Sequence, residues 1–520
     1  MRPERSLLNY TLLFSSGVGL LVLAVLLFMT GGHFVYSLDD PYIHLAIAEN
    51  LPWVYSINGP SEAPSAASSS VLYPWLLMPL SHTPLAFLAP LLLNVMACTV
   101  ALFMLVRISL QIPLLPSLSP LARAGAVVGL AALFNIYTLV FAGLEHSLHI
   151  ATTLALLSGL MDKADGRPVP RFLWVALVLN PLFRFEGLAL SGLALLFLFR
   201  RGERQYVILS AGLLALSLSL NGYYMHSMGL PWLPSSVMAK SPLMAAVGSG
   251  APLGLAGIEL LFNAVMNLTT PMAWTHVVQI VLLFTLALKK QVPLERRRLA
   301  GLVGIAALAH LLAGQFGWMD RYQAYILAAN TLTILYAGQP LFKRMQEKFK
   351  MAGVLVALLV VASGATSLRW LAYTPEAAYQ VYAEHAQLHR FAAQFWQSPL
   401  AANDIGYVSW QNPYPVVDVM GLASEEVRQL HQRPDRYAAL APYIKAHHAD
   451  MAVLDTYSFR QYLQPDWFIL AQMDIPGPSL VVARTVHFFL LNPDRLEEAK
   501  EKLRAFKATL PPDTQFKLLF

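Results

Sequence analysis

The chain has 520 residues, of which 56% are hydrophobic and 13% charged, about half the charged share of an ordinary soluble protein. With mean hydropathy +0.52 and apolar runs of membrane-spanning length recurring from Leu7 to Trp370, a soluble enzyme, a disordered chain and a disulfide-stapled secreted domain are excluded. Cys98 is the sole cysteine, and the net charge of +6 comes from basic residues in short loops between apolar runs, where positive charge sets topology rather than binding nucleic acid.

In chain order, spans are expected at about 7–29, 84–108, 121–141, 146–161, 171–184, 186–200, 205–222, 257–288, 298–315, 322–340 and 351–370, eleven in all. The first is too long for the apolar core of a signal peptide and is followed by Gly31-Gly32-His33-Phe34 rather than a small-residue cleavage site, so it reads as an anchor. Arg2 and Arg5, Lys163 to Arg171, Arg200 to Arg204, Lys289 to Arg298 and Lys343 to Lys350 mark cytoplasmic loops. The N-terminus is then cytoplasmic, and the far end of the chain lies outside the membrane, in the periplasm of a bacterium with an inner membrane. Residues 1–370 carry 10% charged side chains and residues 371–520 carry 19%, which divides the chain into a membrane body and a water-facing C-terminal domain.

The first outer loop, 31–70, holds the densest chemistry. Asp39 and Asp40 are adjacent just beyond a span, Pro41 suits the first position of a helix with Asp40 as its N-cap, and Ile43, Ile47 and Leu51 form one apolar stripe of a surface helix. A carboxylate there serves equally as a cap or as a general base toward an attacking hydroxyl. The Ser-rich stretch 61–70 reads as a flexible or substrate-adapted loop. The three spans between Leu144 and Arg200 are shorter than the roughly 20 residues of a full crossing, and broken helices usually line a cavity. Polar clusters recur at the same membrane face: Glu145-His146, Arg184-Phe185-Glu186, Ser235 to Lys240, and Asp320-Arg321-Tyr322. Singly each is an ordinary helix-end ion pair; together they suggest a site.

Beyond 370, short apolar runs at Leu400–Ala402, Val416–Met420, Met451–Leu454, Trp467–Leu470 and Val481–Leu491 are expected strands. Glu425–Leu430, Arg436–His447 and Leu496–Leu510 are expected helices. The alternation predicts a small α/β, Rossmann-like layer without a dinucleotide fingerprint.

The Asp39-Asp40-x-Tyr42 loop with its following helix, the Ser-rich stretch before Tyr73-Pro74-Trp75, the Arg184-x-Glu186-Gly187 element and the terminal outer domain resemble GT-C glycosyltransferases, nearest in layout to the arabinofuranosyltransferase-like branch. Pro41 stands where that branch more often has a small residue. The resemblance implies an inverting transfer from a polyprenyl-phosphate sugar to an extracytoplasmic glycan, lipid or protein acceptor, with Asp40 or Asp39 as catalytic base. It also implies phosphate-binding cations, for which Arg184, Lys240 and Arg321 are the candidates. Tyr42, His44, Glu145, His146, Glu186 and His226 complete the expected substrate-binding set. No obligatory cofactor is expected; Mg or Mn is the ion the acids would suit, and no zinc spacing occurs. The rival classes are an envelope polysaccharide transporter or flippase and a non-catalytic envelope subunit. Internal repeats and mid-membrane charges, which a transporter should carry, are not evident.

Overall fold

The computed structural model describes residues 3–59, 62–112, 118–240, 253–342, 352–512 and 514–520. Its larger part is a bundle of helices running back and forth between two ends. Arg5–Met29, Ala86–Gln111, Arg204–Ser227 and Pro271–Leu288 are long and apolar enough to cross a membrane, and Pro120–Leu133 with Ile136–Ala142 is a fifth candidate, bent by 51°. Arg171–Phe183, Gly187–Phe199 and Ala324–Ala337 are shorter apolar helices. Leu13, Leu20, Leu21 and Phe28 on the first helix, and Ile208, Leu209, Leu213, Leu216 and Leu220 on Arg204–Ser227, are exposed. Such a surface is stable against lipid and not against water.

One end of the bundle is laced by Arg107–Asp162, Lys163–Glu203, Arg201–Glu295 and Arg296–Asp165, which belong to or adjoin the basic loops. The other end carries the 31–70 loop and the C-terminal sheet. The single span expected at 257–288 is instead two helices, Leu253–Asn267 and Pro271–Leu288. Pro271 disfavours helical backbone at the residue before it, and Thr270 is extended at φ −93° and ψ 136°. Asn267 and Asn263 donate to the carbonyls of Leu311, Leu312 and Gly314. Ser235 donates to Glu425 of the C-terminal domain. The end of Leu253–Asn267 thus sits beside Leu311–Gly314, and of the two helices Pro271–Leu288 is the one long and apolar enough to cross a membrane.

The last long helix, Ala352–Val381, is kinked at Gly364 (φ −124°, ψ 15°), stays helical through the boundary expected at 370, and continues in π-helical turns at Tyr382–Ala386 and Phe391–Trp396. It leads into strands β1 (Leu400–Ala402), β2 (Val416–Asp418), β3 (Met451–Asp455), β4 (Phe468–Asp474), β5 (Thr485–Leu490) and β6 (Gln515–Leu518). The sheet order is β2-β1-β3-β5-β4-β6. β1 pairs in parallel with β2 and β3, whereas β3–β5, β5–β4 and β4–β6 are antiparallel, so only half the sheet has the Rossmann-like character expected, and β6 was not foreseen. One face packs Ala401, Val417, Ala452 and Leu454 under the helices Glu425–Leu430 and Arg436–Ala446. On the other, Val416, Met451, Val453 and Phe488 share one continuous apolar core with Phe391, Trp396 and the bundle.

Candidate active site

The acidic pair lies where bundle and sheet meet. The helix runs Asp40–Asn50, with Asp39 in the N-cap position and no side-chain capping bond, so the register is one residue earlier than expected. The helix is buried on nearly all sides rather than lying on a surface, because the C-terminal domain covers it. Tyr42 stacks on Tyr407 with ring centroids 4.0 Å apart and lies near Trp410; its hydroxyl accepts from the Tyr36 amide at 3.1 Å.

The two carboxylates separate in role. Asp39 accepts hydrogen bonds from the amides of Gly406 and Tyr407, at 2.7 and 2.8 Å, and its Oδ1 lies 2.9 Å from His385 Nδ1. A Cβ at position 406 would overlap the Asp39 backbone carbonyl, so glycine is required for this close approach. Asp40 turns the other way: Arg321 donates from Nη1 and Nη2 to its two oxygens at 3.1 and 3.2 Å. The Asp40 side chain retains 29% exposure, against 4% for Arg321.

Arg321 is aimed by an unusual turn. Gly317, Trp318, Met319 and Asp320 all have positive φ, at 103°, 47°, 61° and 55°, a run that non-glycine residues rarely adopt. It is held from three helices: Asn135, itself at the break of the bent pair, donates to the Met319 carbonyl at 2.6 Å, and the Asp320 carboxylate accepts from Gln323, Thr366 and Ser367. The broken span therefore serves the position of Arg321.

Next to this pair lies a buried ionic network. The Tyr322 ring lies between the guanidiniums of Arg321 and Arg184, at 4.9 and 5.4 Å. Arg184 pairs with Glu145 at 2.9 Å and bidentately with Glu186 at 2.6 and 3.2 Å. Glu145 also meets His44 Nε2 at 3.2 Å. The described part of the Ser-rich stretch, 62–70, is a strap across this network, residue 61 lying outside the described residues: Ser68 bonds His44 Nδ1, and Ser69 both donates to Glu145 and accepts from Arg184. It is ordered because buried charges need every available hydrogen-bonding partner. The two 13-residue helices Arg171–Phe183 and Gly187–Phe199 flank Arg184 and Glu186, so two of the three spans expected to be short converge on the charged cluster, whereas the third, His146–Ala164, runs 19 residues. His146 packs its ring against Tyr322 at 5.7 Å, and neither of its nitrogens has a hydrogen-bond partner among the described residues.

Asp39, Asp40, Tyr42, His44, Glu145, His146, Arg184, Glu186 and Arg321 are thus gathered at one end of the bundle. His226 stands apart from them, stacked on Trp232 at 5.5 Å. Lys240 ends the short helix Ser235–Lys240, and its side chain lies outside the described residues. Two clefts open nearby, of about 610 Å³ lined by Glu49, Trp53, His82 and Gln411, and about 540 Å³ between Asn58 and Glu62 on one wall and Asp418, Glu426 and His447 on the other.

Sequence reasoning missed Glu384 and His385, and read Asp404 as a residue that ends a strand. The three surround Asp39 from the helix extension and the loop after β1, and no spacing in the chain announced them. Burial pushes the Glu384 carboxyl up to about 8, only partly offset by His385. Burial lowers the His385 imidazolium, but the Asp39 carboxylate overrides it and carries the group up to about 10. Burial likewise raises Asp404 to about 6, against the pull of His385.

A protein-family profile described as a domain of unknown function (DUF8728) matches residues 372–492, the helix extension and the first five strands. No curated protein matches the chain. Among solved structures it is similar to the oligosaccharyltransferase of Archaeoglobus fulgidus, at 10% identity and TM-score 0.47, over 96% of this chain and 75% of that one. It is also similar to the mycobacterial arabinofuranosyltransferase AftD, at 14% identity and TM-score 0.42, over 92% and 41% of the respective chains. A third likeness is to ArnT from Cupriavidus metallidurans bound to undecaprenyl phosphate, at 13% identity and TM-score 0.40, over 93% and 98%.

Proposed function

We propose that this chain is a GT-C-like membrane glycosyltransferase that moves a sugar from a polyprenyl-phosphate donor to an acceptor hydroxyl on the outer side of a bacterial inner membrane, with inversion at the anomeric carbon. In this reading the chain crosses the membrane eleven times, with the N-terminus cytoplasmic and the sheet periplasmic. The observation that carries the reading is the Asp40–Arg321 pair, a partly exposed carboxylate and a buried guanidinium at the end of the bundle that bears the outer loop. A group transfer from a lipid phosphate needs both a proton acceptor and a fixed cation at the membrane surface.

The chemistry assigns each its part. The guanidinium fork of Arg321 fits a phosphate as well as it fits a carboxylate, so donor binding exchanges the Asp40 contact for the donor phosphate. The carboxylate released from that fork accepts the proton of the acceptor hydroxyl. The acceptor oxygen bonds to the anomeric carbon as the carbon–oxygen bond to phosphate breaks, and polyprenyl phosphate leaves with its charge held by Arg321. Arg184 is fully engaged by Glu145, Glu186 and Ser69. It is better suited to holding Tyr322 and Arg321 in position than to meeting phosphate. Asp39, committed to Gly406, Tyr407 and His385, anchors the C-terminal domain, which forms the roof of the site.

Mass spectrometry of lipid-linked sugars and envelope glycans from cells with and without the gene tests the reading. Loss of the protein should raise one polyprenyl-phosphate sugar and remove one sugar from an envelope product. Unchanged profiles of both would refute it.

A further inference from the structure

Beside Asp39, three side chains converge that the proposed transfer does not use. Glu384 and His385 come from the π-helical turn Tyr382–Ala386, and Asp404 from the loop after β1. One ligand atom from each lies within 4.8 Å of the others. His385 Nε2 points between two carboxylates, 3.7 Å from Glu384 Oε1 and 3.9 Å from Asp404 Oδ2. Those separations are too long for hydrogen bonds and a few tenths of an ångström longer than the roughly 3.3–3.6 Å between tetrahedral ligands with bonds of about 2.0–2.2 Å, so a small inward movement of the carboxylates would close them on an ion.

Two features separate this cluster from a common patch of acids. Glu384 is 1% exposed, and among the described residues neither its Oε2 nor His385 Nε2 has a hydrogen-bond partner, although buried polar atoms are almost always satisfied. On the opposite side of the imidazole, Nδ1 lies 2.9 Å from Asp39 Oδ1. A carboxylate against one ring nitrogen with the other nitrogen aimed at ligating oxygens is the arrangement that orients metal-binding histidines. Asp39, Glu384 and Asp404 place three carboxyl groups around one imidazole, with Glu384 and His385 buried and Asp404 partly exposed.

We propose that Glu384, His385 and Asp404 bind a divalent transition metal ion of the zinc or manganese class, with Asp39 orienting the histidine. The ion joins the helix extension, the loop after β1 and the acidic pair of the first outer loop, and so fastens the C-terminal domain onto the membrane body. Binding displaces the proton on Nε2 and neutralises the acids. This site stands independently of the reaction performed next to it.

The test uses the full-length protein purified in lipid nanodiscs, stripped with chelator and titrated calorimetrically with Zn²⁺ alone and Mn²⁺ alone, with metal content of the unstripped protein measured in parallel. One equivalent of at least one ion should bind, and both His385→Ala and Glu384→Gln should weaken it by about 100-fold or more, since even second-shell partners cost roughly 10–100-fold. Chelation should lower the melting temperature of wild type and leave that of Glu384→Gln unmoved. The site is refuted if wild type binds neither ion, or if Glu384→Gln, the near-isosteric variant, binds as tightly as wild type. That result would leave the glycosyltransferase reading untouched.

Discussion

Asp39 and Asp40 are neighbours in the chain and identical in chemistry, yet the structure gives them opposite surroundings. Asp39 receives two backbone amides and an imidazole from the C-terminal domain, whereas Asp40 meets the guanidinium of Arg321. Asp39→Asn keeps the volume but loses the charge that these donors require, so we expect a stability loss of about 1–3 kcal/mol. It should appear as a lower melting temperature and faster proteolysis between bundle and sheet; a wild-type melting curve would contradict the anchoring role. Arg184→Ala should be costlier, about 3–5 kcal/mol, because it leaves the wholly buried Glu145 without its cation. Loss of donor binding with unchanged thermal stability would instead make Arg184 a phosphate ligand. The residue types at this site were legible in the sequence, since paired acids and charges at span ends are rare in a membrane protein. Their division of labour was not. It depends on Gly406, Tyr407 and His385, more than 340 positions away in the chain, and nothing local distinguishes one aspartate of a pair from the other.

At the scale of elements, hydrophobic runs placed most helices, because lipid demands long apolar segments whatever they pack against. Where the expectation failed, a local feature had been outvoted by length. The 257–288 run is apolar throughout, but Pro271 divides it. The Asp40–Asn50 helix shows a stripe that suits a surface, yet it is roofed by a domain that begins over 300 residues later. The serine-rich segment looked loose by composition and is ordered by the charges beneath it. The left-handed turn before Arg321 had little signature beyond Gly317 and Asp320, since Trp318 and Met319 are not residues that favour positive φ. Trp318 is exposed, so its backbone can be tested without emptying a core. Trp318→Gly should match or slightly exceed wild-type stability, within about 0.5 kcal/mol. Trp318→Pro fixes φ near −65°, and we expect it to destabilise by ~3 kcal/mol or to abolish activity by displacing Arg321. Equal tolerance of both substitutions, read by thermal unfolding, would show that the turn does not hold the site.

For the whole molecule, two physical divisions do not coincide. Charge density divides the chain near residue 370, whereas the last long helix passes through that point and the apolar core of the bundle continues into the sheet. The C-terminal domain is water-facing in composition and dependent on the membrane body in packing, which composition alone does not reveal. The proposed topology rests on the basic loops gathered at the end opposite the sheet. An alkaline phosphatase fused after Phe520 should therefore be active, and a fluorescent protein that matures only in the cytoplasm should stay dark there; the reverse pair of results would move the site to the wrong side of the membrane for this reaction. The most direct test is at Asp40. With the polyprenyl-phosphate sugar that accumulates in cells lacking the gene supplied as donor, transfer by purified wild type is compared with transfer by Asp40→Asn, which preserves shape but cannot accept a proton. A general base at this position predicts that Asp40→Asn folds, binds donor and transfers roughly 100 to 10,000-fold more slowly. Transfer at the wild-type rate by a folded Asp40→Asn protein would contradict it.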